Sequence, residues 1–87
     1  MTLQFPNPSR SFDAQRNGVR FIGHDGMFEV PFFVESSALA GISKAAPSEN
    51  DFLAAFDAAR KSILDVAREA YSHARRKSYT LTAGDFR

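Results

Sequence analysis

SENDFLAAFDAARKSILDVAREAYSHARRK, residues 48–77, is the stretch whose reading decides the fold. Phe52, Phe56, Ala59, Ile63, Ala67, Ala70 and Ala74 recur at steps of three or four, the spacing of one helix face. Leu53, Leu64 and Tyr71 widen that apolar stripe, while Asp57, Lys61, Asp65, Arg68, Ser72 and Arg75 lie on the other side. Ser48 stands where an N-cap is needed, and Asp51 follows at the capping-box position. Asp57 and Lys61 form an oriented i,i+4 pair, worth about 0.2–0.5 kcal/mol. A helix with one apolar stripe needs a surface to cover.

The residues before it supply that surface as sheet. Asn17-Gly18 and Asp25-Gly26 are hairpin dipeptides, because a type I′ turn needs positive φ at both central residues. They separate expected strands at residues 11–16, 19–24 and 27–34, a three-strand meander. With two-residue loops, Phe12 faces Gly23 and Gly23 faces Phe28, so the two rings cover the missing side chain. Ala14, Phe21 and Val30 make the next row, and Arg16, Val19 and Phe32 the last, with Arg16 at the rim. The large apolar residues of these rows share one face. The other carries Ser11, Asp13, Gln15, Arg20, Ile22, His24, Met27, Glu29, Pro31 and Phe33, and a one-residue slip would destroy that segregation. Pro31 lacks a backbone donor, which marks residues 27–34 as an edge or bulged strand.

Residues 2–5 read as a short strand or arm stopped by Pro6 and Pro8. Residues 36–42 read as a short helix capped by Ser36 or Ser37, with Leu39 and Ile42 facing inward. Tyr79-Thr80-Leu81-Thr82 has high strand propensity and returns to the sheet. The prediction is one α+β domain over residues 1–87, in two layers. An antiparallel meander of three or four strands (residues 11–34) packs on one long helix (48–77), with a short helix (36–42) between and a C-terminal strand (79–83). Phe21, Val30, Phe56 and Ile63 are expected in its core.

The composition narrows the chemistry. Nine Phe in 87 residues point to an aromatic core, since each ring buries roughly 150–250 Å². No Cys is present, which removes disulfides, thiolate metal sites and a cysteine nucleophile, and fits a reducing compartment. Residues 1–10 are polar and hold two prolines, unlike a signal peptide, and no apolar run approaches the ~20 residues of a membrane span. A cytoplasmic protein with no membrane segment is expected. Eleven Lys and Arg against ten Asp and Glu leave no basic excess of the kind nucleic acids select. The basic cluster Arg75-Arg76-Lys77 falls at the expected helix end, where the dipole favours cations.

Several stretches, taken together, are similar to a known family. They are Phe5-Pro6-Asn7-Pro8-Ser9-Arg10-Ser11-Phe12-Asp13, Val19-Arg20-Phe21 followed by His24-Asp25-Gly26, and Glu29-Val30-Pro31-Phe32-Phe33-Val34 leading into Ser37-Ala38-Leu39. Phe52-Leu53, then Ala55-Phe56-Asp57, Leu81 and Asp85-Phe86 complete the set. Over nearly the whole chain the sequence resembles the small bacterial family called domain of unknown function fourteen-eighty-eight, in the form common in alphaproteobacteria. The family's usual residue at Phe12 is Tyr, so a hydroxyl is missing from the core edge. These are turn, core and cap residues, so the resemblance implies a fold and carries no activity, cofactor or functional residue with it.

Catalytic material is sparse. His24 sits beside Asp25 at a hairpin end, with Asp13 and Glu29 on the same face, enough to suggest a general base or half a metal site. Asp25 has its own reason to be in a turn, and Asp13 and Glu29 are each expected diagonal to Arg20 as surface ion pairs. His73 follows Glu69 by four residues, a solvated helix pair. There is no Gly-rich phosphate loop, nucleophile elbow or His-x-x-x-His pair.

The sequence therefore points to a non-catalytic protein-binding or self-associating module, the latter as a homodimer, with no cofactor or metal. Ile22, Met27, Pro31 and Phe33 form one candidate surface, and Ala70, Tyr71 and Ala74 another. The second is motivated by length: 30 helical residues would span roughly 45 Å, against roughly 30 Å for a compact domain of this size. The helix must bend, overhang or find a partner. Two alternatives stand beside this reading. One is a nucleic-acid-binding accessory protein using Arg75, Arg76 and Lys77; the other is a small-ligand binder or enzyme with a site near His24. A thermal-shift screen of metals and small ligands is expected to give no large, saturable rise in Tm. Such a rise, abolished in His24→Ala, would move the function to that histidine.

Overall fold

The computed structural model describes residues 3–6, 9–39, 48–74 and 76–86. The fold is α+β, as expected. Strands β1 (Arg10–Asp13), β2 (Gly18–Asp25) and β3 (Phe28–Glu35) form an antiparallel meander, and β4 (Tyr79–Leu81) adds to it in the order β1-β2-β3-β4. Helices α1 (Glu49–Ala58) and α2 (Arg60–His73) lie between β3 and β4 in sequence and pack on one face of the sheet.

β4 runs parallel to β3, pairing Phe32 with Tyr79 and Val34 with Leu81, so the sheet is mixed rather than wholly antiparallel. β3 is consequently interior along Phe32–Val34, and Pro31 falls just outside the paired stretch, where its missing N–H breaks no ladder to β4.

Neither hairpin closes on its dipeptide: the first loop is centred two residues earlier in the chain than Asn17-Gly18, the second one residue later than Asp25-Gly26. Asp13 pairs with Gly18, leaving residues 14–17 as the loop. Asp13 explains why: its Oδ1 accepts from Gln15 N (3.1 Å) and Arg16 N (3.1 Å), an Asx-type turn that starts before Asn17. Asn17 takes positive φ (58°), whereas Gly18 is a strand residue. A Cβ on Gly18 would lie 2.4 Å from Phe33 Cζ and from the Val34 carbonyl, so glycine is there for close approach. In the second hairpin Asp25 pairs with Phe28 around Gly26-Met27. Positive φ at Gly26 (63°) and not at Met27 is the II′ pattern. Phe12 therefore faces Val19 and Gly23 faces Val30, shifts of four and two residues from the expected rows. Even shifts keep every side chain that remains in a strand on its face.

The core is a ladder of rings. Phe21, Phe32 and Tyr79 stack across three adjacent strands, with centroids 5.3 and 5.0 Å apart and planes tilted 12° and 20°. Phe56 of α1 meets Phe21 from the helix layer at 5.2 Å, and Phe12 stacks on Phe52 at 4.9 Å. Below this row Val19, Val34 and Leu81 are fully buried. Above it the space over Gly23 is filled by Leu3 and Phe5, whose side chains would lie 2.9 Å from a Cβ there. The described part of the N-terminal arm, residues 3–5, thus reaches the sheet, where Gln4 and His24 exchange two backbone hydrogen bonds of 2.8 and 2.7 Å. Phe28, expected over Gly23, lies one pair further out and is 75 % exposed.

The long helix breaks at Ala59 (φ −104°, ψ 12°) and ends at His73. No Pro or Gly lies at the break. The two parts have different partners: α1 packs on β1 and β2, and α2 on β4. The Ser48–Asp51 capping box is present as expected. Asp57 does not pair with Lys61; it accepts a bidentate fork from Arg10 (3.0 and 2.8 Å) and a further bond from Arg60 (2.8 Å), which ties α1 to β1. Ser36–Ala38 is a single 3₁₀ turn with no side-chain cap, because the Ser36 hydroxyl instead accepts from Asn17 Nδ2 at 2.9 Å. Leu39 is buried as expected, while Ile42 lies outside the described residues.

Two outcomes follow. Phe56→Ala should cost about 3–5 kcal/mol in a denaturant melt, enough to unfold so small a domain. The hydrogen bonds from Arg10, then those from Arg60, hold the Asp57 carboxyl below its usual range. A depressed acid stabilises above its unfolded pKa, and that stabilisation disappears as pH falls through the folded value, below about 4. Melting curves of Asp57→Asn should therefore flatten against wild type in that acid range, by a small amount given the pair's exposure.

Candidate functional site

The helices cover one face of the sheet, and the opposite face is open. Along β2 the open face carries Arg20, Ile22 and His24, and directly across on β3 stand Phe33, Pro31 and Glu29. These make three rows: Arg20 with Phe33, Ile22 with Pro31, His24 with Glu29. Ser9 and Ser11 border them on the β1 side, Ser78 and Thr80 on the β4 side. Together they line a concavity of about 470 Å³, within the size range of ligand pockets.

Phe33 is only 4 % exposed although no helix covers it. The Arg16 guanidinium lies over its ring, 4.0 Å from the centroid, and Arg16 Nη2 donates to Thr80 Oγ1 at 3.4 Å. The turn that Asp13 sets is what swings Arg16 onto this face, away from the inner rim where a two-residue loop would leave it. Arg20 is the residue paired with Phe33 on β2. Its Nε stands 3.9 Å from Asp13 Oδ2, an ion pair too long for a hydrogen bond. One end of the groove thus carries two arginines, Arg16 over the Phe33 ring and Arg20 beside Asp13, with an apolar step next to them and the His24–Glu29 row at the far end. Glu29 faces His24 and is not diagonal to Arg20.

The residues singled out from sequence divide sharply. Ile22 (42 % exposed), Pro31 and Phe33 all belong to this groove. Met27 stands apart at the hairpin tip, 97 % exposed. Ala70, Tyr71 and Ala74 do not form a free surface. Tyr71 is buried, its ring 6.0 Å from Tyr79 and its hydroxyl donating to the Asp25 carboxylate. Ala70 and Ala74 are half-buried beside β4, and the Ala74 carbonyl accepts from the Tyr79 hydroxyl. The returning strand covers the helix stripe.

His24 and Asp25 part company for the same reason that neighbours in a strand always do: one points to the open face, the other into the core. Asp25 is the buried acid that the sequence reading missed, taken there for turn chemistry. Its signal was available, since its parity with Phe21 and Gly23 puts it on the inner face. Arg76 and Lys77 lie beyond the end of α2 rather than in its last turn, and Arg76 N donates to Tyr79 Oη at 2.8 Å. Arg75 is outside the described residues. His73 and Glu69 form the expected exposed pair, 3.6 Å apart. Among the described residues no group of three or more His, Cys, Asp or Glu is placed to hold a metal ion, and no helix is long and apolar enough to cross a membrane.

A family model described as "Protein of unknown function (DUF1488)" matches residues 3–82. No curated protein and no solved structure matches the chain.

Proposed function

This chain belongs to the DUF1488 family, whose description carries no activity, and we propose from its geometry that it is a non-catalytic module offering the open face of its sheet to a protein partner. The observation that carries this reading is the groove itself: an apolar step, Ile22 and Pro31, set between charged rows on a face that the chain's own helices leave uncovered. That is the arrangement of an interface, with apolar contact at the centre and polar groups around it.

The distribution of acids supports a non-catalytic role. Asp13 is held by turn amides, Asp25 by Tyr71, Asp57 by two arginines and Asp85 by the Thr82 amide at 2.8 Å. The His–carboxylate neighbours of the sequence, His24 and Asp25, face opposite sides of the sheet. A nucleic-acid reading is weaker on this face, because sheets that bind single strands present free rings for base stacking. Phe33 is already covered by Arg16, and Glu29 opposes phosphate. Self-association through the helix loses its motive, since β4 occupies the stripe around Ala70 and Tyr71.

The test is site-specific photocrosslinking in cells of the source type. A photoreactive side chain at position 22 should give discrete adducts that disappear when Arg20→Glu is added. The same group at position 61, exposed on the helix face, should give none. Adducts equally abundant from both positions, or insensitive to Arg20→Glu, would remove the groove from the function.

A further inference from the structure

We infer that the groove takes an extended segment of the partner in which an acidic side chain and an apolar one are two residues apart. The inference rests on the protein-binding reading above and names the chemistry of the partner. Its basis is the match between the three rows and the geometry of an extended chain.

Successive rows on one face of a strand are about 7 Å apart, twice the rise per residue. An extended segment lying over β2 and β3 presents its own side chains to the sheet with that same period. One side chain then falls on the Arg20–Phe33 row, the next-but-one on the Ile22–Pro31 row, and the next on the His24–Glu29 row.

Charge decides what each row accepts. At the first, the Arg16 guanidinium lies over the Phe33 ring and Arg20 is paired with Phe33 across the strands, so two cationic residues border this row. Asp13 is the nearest carboxylate, and its Oδ1 is already engaged by two turn amides. Arg20 keeps hydrogen-bond donors for a further carboxylate, because its contact with Asp13 Oδ2 is 3.9 Å long. Arginine's planar fork suits a carboxylate better than any neutral group. The middle row, Ile22 and Pro31, offers only carbon. The last row pairs His24 with Glu29 and repels a second acid. The preferred pattern is acidic, any residue, apolar, with the acid over the arginines, and Ser11 and Thr80 give hydroxyls at the margins.

The probe is a blocked, fluorescently labelled peptide with Glu-Ser-Leu at its centre, titrated against the whole chain and read by anisotropy. Three controls carry Lys-Ser-Leu, Glu-Ser-Ser and Glu-Leu-Ser, which alter the charge, the apolar group and the spacing in turn. The first peptide should bind at least about tenfold more tightly than each control, and the affinity should fall with added salt. Arg20→Ala and Ile22→Asp should each weaken it by about tenfold or more. Both positions are exposed enough for the fold to survive, which circular dichroism checks. Equal binding of the Lys peptide, indifference to both variants, or no binding of any peptide would overturn the inference. Should the crosslinks from position 22 persist in that event, the protein-binding reading stands and only the acidic segment falls; should they vanish too, both fall.

Discussion

The parallel pairing of β4 with β3 is the constraint from which the rest of the architecture follows. Two neighbouring strands can run the same way only if the chain between them crosses back over the sheet. Here that crossing contains α1 and α2, so both helices are committed to one face, and among the described residues no helix lies on the other. The aromatic ladder of Phe21, Phe32 and Tyr79 depends on the same pairing, because Tyr79 reaches its place only when β4 lies beside Phe32. The break at Ala59 falls between the part of the helix that packs on β1 and β2 and the part that packs on β4.

Polar groups fix what the rings leave free. The Arg10 fork on Asp57 sets α1 against β1, and the Tyr71 hydroxyl on Asp25 sets α2 against the end of β2. Apolar packing alone tolerates sliding along the ridge of a helix, whereas a bidentate guanidinium accepts one orientation. Asp25 is 6 % exposed, so its bond to Tyr71 is part of what permits its burial. On the far side of the sheet the logic is reversed, for there the Arg16 guanidinium lies over the Phe33 ring.

Much of the fold was legible because it rests on periodicity. The apolar spacing over residues 48–77 identified the buried face of both helices, and strand alternation put the meander's residues on their correct side, Arg16 excepted. What periodicity lacks is register. The loop at residues 14–17 is set by the Asp13 side chain bonding two amides, and nothing in the Asn-Gly dipeptide announces it. That single turn also hid the groove, since it decides on which face Arg16 lies. The direction of β4 was equally silent, for strand propensity has no sign. Of the candidate surface, Ile22, Pro31 and Phe33 were visible by parity alone. Tyr71 was misplaced because a helix stripe looks unpartnered until the strand that covers it is placed.

The order of the strands has one more outcome, which concerns the protein's neighbours rather than its interior. The two eight-residue strands, β2 and β3, are central, and the sheet ends on its shortest ones, four residues in β1 and three in β4. A long bare edge is a template on which another chain can add itself, and so on without limit. Here an incoming strand would find only a few backbone groups before reaching a turn. Edge strands this short limit growth by backbone pairing, whatever apolar side chains the sheet's face carries.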